Sequence, residues 1–111
     1  MVQKRDNATI RMLGSAAAQC SGKKTADATI ATGKCAVTSV ILVTDGTNDA
    51  SLVMHDSVDN SGTIIREFRV DGESDFGGNA INFHVFMAEG IYANVTGTGA
   101  FYFIDFVDLD E

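Results

Sequence analysis

Proline and tryptophan are missing from this sequence altogether, and cysteine and histidine occur twice each in 111 residues. Two cysteines, Cys20 and Cys35, cannot build the disulfide framework of a small secreted domain, so reduced thiols are expected. A zinc site needs about four ligands, and those cysteines with His55 and His84 show no metal-binding spacing, so no metal or other cofactor is expected. No apolar run approaches the roughly 18 residues of a membrane-spanning helix. The leading stretch MVQKRDNATIRMLG has basic residues with no apolar stretch behind them, which argues against a secretory signal and for synthesis in the cytoplasm. Without tryptophan, a carbohydrate platform would rest on Tyr92 and Phe76 alone.

Enzyme signatures are equally sparse. There is no Gly-x-Ser-x-Gly elbow, no phosphate-binding loop with lysine, no His-Glu-x-x-His and no dinucleotide fingerprint. His55 and His84 have no evident nucleophile or orienting partner, so structural roles are expected and catalysis is not. Asp45, Asn48 and Asp49 share one loop, but their spacing does not fit an EF-hand, and shaping a turn accounts for them without calcium.

Charge is unevenly spread. Residues 1–35 carry six basic side chains against Asp6 and Asp27, a net +4, while residues 36–111 carry Arg66 and Arg69 against thirteen carboxylates, a net −11. An acidic body repels phosphate backbones, so nucleic acid is not an expected partner, whereas the basic segment suits an acidic neighbour. By length the chain is one domain, read as a basic segment (1–35) packing on or extending from a body (36–111).

From residue 36 onward, short runs of β-branched and aromatic residues alternate with Gly, Asn and Asp. Strands are expected at 34–43, 50–56, 63–70, 80–88, 91–96 and 100–109, with shorter ones at 8–13 and 28–31. Residues 15–21 are small and unpatterned, and Ala16 to Ala18 also suit a helical turn. Glu89-Gly90 and Gly97-Thr98-Gly99 read as hairpin turns, which would make the last three strands a meander. Seven or eight strands without a convincing helix predict an all-β fold, an antiparallel β-sandwich of jelly-roll type. Expected core positions are Ala36, Val40, Leu42, Leu52, Met54, Ile64, Phe68, Val70, Ile81, Phe83, Val85, Ile91, Ala93 and Val95.

The last strand breaks the alternation of a surface strand. Phe101, Phe103 and Val107 lie on one side around Asp105, and Tyr102, Ile104 and Phe106 on the other. Leaving either side bare would forgo about 25 cal/mol for each Å² of apolar surface kept in water. Two covers suit the second side: another copy of the chain or a larger assembly, and the chain's own first 35 residues folded across the sheet.

The stretches GKCAVTSVILVTDGTNDASLVMHDS and GIYANVTGTGAFYFIDF, within residues 33–106, resemble the small β-sandwich proteins encoded in tailed-phage structural gene clusters, some of which are capsid decoration or cement proteins. The resemblance implies a non-enzymatic virion protein on the outer surface of the capsid, with no catalytic residues, that self-associates as a trimer and clamps major capsid protein subunits. On that reading Phe86, Phe101, Tyr102, Phe103, Ile104 and Phe106 supply apolar contact, and Lys4, Arg5 and Arg11 meet carboxylates of the shell. Neither membrane nor nucleic acid enters. The alternative is a receptor- or glycan-binding module of a tail or fibre.

Overall fold

The computed structural model describes residues 18–73 and 78–109. Among the described residues there are eight strands: β1 (Ala18–Cys20), β2 (Ala28–Thr32), β3 (Cys35–Val43), β4 (Ala50–Asp56), β5 (Thr63–Val70), β6 (Gly78–Met87), β7 (Gly90–Thr96) and β8 (Phe101–Asp108). They form two four-stranded antiparallel sheets, in the orders β1-β8-β3-β6 and β2-β7-β4-β5. Pairing β1 with β8, β2 with β7, β3 with β6 and β4 with β5 is that of one long hairpin. Additional β3–β8 and β4–β7 ladders roll that hairpin into two layers, the double-sheet jelly roll. The all-β sandwich read from the sequence is therefore the fold.

The expected meander is corrected. β6 and β8 lie in one sheet and β7 in the other, so the two short turns between them are arches from layer to layer. A short turn with glycine at positive φ permits a hairpin but also permits a sharp change of sheet. Gly90 and Gly97 take φ of 148° and 133°, and a Cβ on either would lie 2.5 Å from a carbonyl oxygen, that of Ala31 or Asp49. Only a residue without a side chain lets the crossing backbones approach this closely. Among the described strands, the consecutive pair that shares a sheet is β4 and β5, joined by residues 57–62.

The first residues described are part of the sandwich. β1 lies on the edge of β8, with Ala18 opposite Val107, and β2 lies on the edge of β7. Residues 8–13 fall outside the described residues, as do Ala16 and Ala17; Ala18 opens β1 as strand.

Cys35, Val37, Val40 and Leu42 of β3 and Tyr102, Ile104 and Phe106 of β8 interlock with Leu52 and Met54 of β4, Phe68 and Val70 of β5, and Ile91 and Ala93 of β7. Two expected core positions are overturned by bulges. In β3 the register shifts between Val37 and Ser39, so the buried set changes from odd to even numbers and Ala36 falls on the outer face. In β5 Met54 faces Arg66 but His55 faces Ile64, so Ile65 is the residue passed over. Ile65 then packs on the core, and Ile64 is 61% exposed. Val85 and Val95 pack against the core from partly buried positions; the side chains of Ile81 and Phe83 lie outside the described set.

The β3 bulge also explains an aspartate in an aromatic strand. Ser39 Oγ donates to Asp105 Oδ2 at 2.9 Å, and Thr38 Oγ1 to the Asp105 carbonyl at 3.2 Å. The bulge in β3 thus brings two hydroxyls, those of Thr38 and Ser39, to where β8 presents oxygen acceptors.

Two acids sit in the core. Burial, with the carboxylates of Asp108 and Asp56 nearby, pushes the Cys35 thiol from 9.0 up to about 11. Burial, with Asp27 and Tyr92, pushes the Tyr102 phenol from 10.0 up to about 12. Both folded-state values lie above the unfolded ones, so their stabilisation is whole below about pH 9 and is lost as pH rises towards 12. Urea midpoints are expected to fall progressively over that window. Tyr102→Phe should remove the upper part of the fall, and at neutral pH should cost about 1 kcal/mol, because the Tyr102 hydroxyl donates to the Ala26 carbonyl at 2.8 Å.

Candidate interaction surface

The last strand resolves by parity. Tyr102, Ile104 and Phe106 point inward and are 0%, 0% and 6% exposed, whereas Phe101 and Phe103 are half-buried on the outer face of the β1-β8-β3-β6 sheet. Of the six apolar residues expected at an interface, the inward three belong to the chain's own core. Those left facing outward are Phe86, Phe101 and Phe103; Lys4, Arg5 and Arg11 lie outside the described residues.

On that outer face, Phe101 and Phe103 stack edge to face with centroids 6.0 Å apart. Their partners across the ladder are Val43 and Ile41, both half-buried, so the aromatic pair extends into a four-residue apolar patch. Lys23 places its Nζ 4.4 Å from the Phe101 ring centroid, covering the pair on one side with a cation. This contact was not legible beforehand, because nothing in the sequence places Lys23 beside β8. The placement comes from Lys24, which bridges Tyr102 through paired backbone hydrogen bonds of 2.9 Å.

Towards the other end of the sheet the face turns polar at Asp105, Ser39 and His84 and then ends in Phe86, which is 76% exposed. Phe86 stands in one cross-strand row with Ala36, Val107 and Ala18. A groove of about 300 Å³ opens beside it, lined by Lys34, Asp56, Phe86, Met87, Ala88 and Leu109. Asp56 is held there by the amides of Ala88 and Glu89, at 3.1 and 2.8 Å.

The remaining polar candidates have structural work. His55 is 6% exposed, with Nδ1 3.1 Å from the Gly62 carbonyl and Nε2 2.8 Å from Asn94 Oδ1, so it ties the β4–β5 loop to β7. Asn94 in turn donates to Asp27 at 3.0 Å. The Tyr92 ring meets His55 edge-on at 5.9 Å; Phe76 is outside the described residues. Asp45 accepts the amides of Thr47 and Asn48 at 2.9 and 2.8 Å and the Asn48 side chain at 2.7 Å, and these bonds lower its pKa. Asp49 accepts the Gly72 amide at 3.1 Å. This loop is therefore an Asx-type turn whose carboxylates already have donors. Among the described residues no three His, Cys, Asp or Glu side chains converge as metal ligands.

These features define a jelly-roll domain whose distinctive chemistry is an apolar surface on one sheet. Comparison with protein-family models, curated proteins and solved structures finds no match for the chain.

Proposed function

We propose that the protein is a non-enzymatic structural component of a tailed-phage particle, a cement protein that self-associates as a trimer and clamps neighbouring major capsid subunits on the outside of the head. The observation that carries this reading is the outward patch of Phe101, Phe103, Ile41 and Val43 on the face of the β1-β8-β3-β6 sheet. Apolar aromatic surface on a rigid sheet suits contact between copies, since its burial adds binding without ordering any loop. Lys4, Arg5 and Arg11 of the basic leading segment then meet shell carboxylates, which speeds and orients docking more than it tightens it.

The test is sedimentation of the purified chain, followed by its addition to empty expanded heads. The expected result is a trimer that co-sediments with heads and releases at high salt. A wild-type chain that sediments as a monomer and leaves heads bare would end this reading.

A further inference from the structure

A three-fold ring needs two different surfaces on each copy, because neighbours in it meet head to tail and not like to like. The described residues present two. One is the patch of Phe101, Phe103, Ile41 and Val43, on the flat outer face of the β1-β8-β3-β6 sheet. The other is the groove beside Phe86, whose ring is 76% exposed and whose cross-strand row lies about 20 Å further along β8, at Val107. The residues lining that groove stand at or beside strand ends, and Asp56 of β4 belongs to the second sheet, so the groove opens across the end of the sandwich. Patch and groove therefore face different directions. Surfaces facing one way would join copies only across a two-fold axis, whereas a ring of three requires them turned from each other.

Charge points to the same pairing. Lys23, with Nζ 4.4 Å from the Phe101 ring centroid, and its neighbour Lys24 stand beside the patch, and Asp105, further along that face, is taken up by Ser39. The groove has Asp56 in its wall and Glu89 and Asp108 next to its lining residues Ala88 and Leu109, against Lys34. Patch on patch would oppose Lys23 to Lys23, and groove on groove would oppose the two acidic rims; patch on groove pairs opposite signs. We propose that copies of the chain join head to tail, the Phe86 ring of one seating on the Phe101–Phe103 patch of the next, with Lys23 of that neighbour facing the acidic rim. An exposed aromatic ring entering an apolar patch is the kind of anchor that dominates contacts between proteins. The contact rests on the trimer reading above and specifies which surfaces make it.

Complementation between two variants tests it. Phe86→Asp removes the groove's ring and Phe103→Asp spoils the patch; both side chains point outward, so the circular dichroism of the sandwich should be unchanged. Each variant alone should sediment as a monomer. Mixed in equal amounts they should pair, because the first keeps an intact patch and the second an intact groove. With one variant isotope-labelled, a zero-length carbodiimide should then link Lys23 of the Phe86→Asp chain to Glu89 or Asp108 of the Phe103→Asp chain. A Phe86→Asp chain that remains a trimer, or a mixture that yields no such cross-linked pair, would overturn the head-to-tail contact while leaving a wild-type trimer standing. A wild-type monomer would end the trimer reading, and this contact with it.

Discussion

Phe106→Asp is expected to abolish folding, while Phe103→Asp, three positions earlier on the same strand, leaves the sandwich folded. The Phe106 ring is 6% exposed and packs among the core residues. A carboxylate there forfeits about 2 to 3 kcal/mol of ring burial and adds several more for an uncompensated buried charge. That sum is comparable with the roughly 5 to 15 kcal/mol that holds a domain of this size together. Phe103 faces outward, and its replacement loses the edge contact with Phe101, worth about 0.5 to 1.5 kcal/mol. In the proposed assembly, however, Phe103 carries the apolar contact between copies. Phe103→Asp should therefore unfold in urea close to wild type yet sediment as a monomer and fail to bind heads. Phe106→Asp should be recovered unfolded or aggregated. A trimeric Phe103→Asp would place the contact between copies elsewhere.

Gly90→Val, in the arch between β6 and β7, is expected to be strongly destabilising. At φ of 148° a β-branched residue is strained, and its Cβ would lie 2.5 Å from the Ala31 carbonyl oxygen and 3.2 Å from that of Ser57. Both are backbone atoms of neighbouring segments, so relief means displacing β2 or the β4–β5 loop. A loss of about 3 kcal/mol or more is expected in equilibrium urea unfolding. Gly46→Ala is the control. It also has positive φ, at 90°, but nothing lies within 4 Å of the added Cβ, so the cost should be about 1 to 2 kcal/mol, the strain alone. Equal losses at the two positions would show that the arch tolerates movement and that the close approach to β2 is unimportant.

The jelly roll was readable from the chain because its local signals agree. β-branched and aromatic runs separated by Asp-Gly, Asn and Gly clusters delimit β4 and β5 at the residues expected, and β3, β7 and β8 to within a residue or two. Misreadings arose where a non-local partner decides. Ile64 and Ile65 are identical residues side by side, and it is the register against His55 and Met54 that sends the second towards the core and the first to solvent. Glu89-Gly90 has the composition of a hairpin turn, yet Gly90 is needed because β2 passes against it. The surface of interest was half legible. The doubled apolar character of residues 101–106 was evident, but separating Phe101 and Phe103 from the inward three required knowing which side of β8 faces the second sheet, and Lys23 became part of the surface only through pairing across 78 residues.

By itself the order of residues determined that this chain is all-β, where the strands from β2 to β8 begin and end to within about two residues, and that its last strand is apolar on both sides. Those properties follow from side-chain period and turn chemistry, which act over a few neighbouring residues. Only the tertiary structure decided which strands share a sheet, how two bulges reset the inward face, and which aromatic rings remain outside. Each of these depends on hydrogen-bond register between segments far apart in the chain, and a shift of one residue exchanges core for surface.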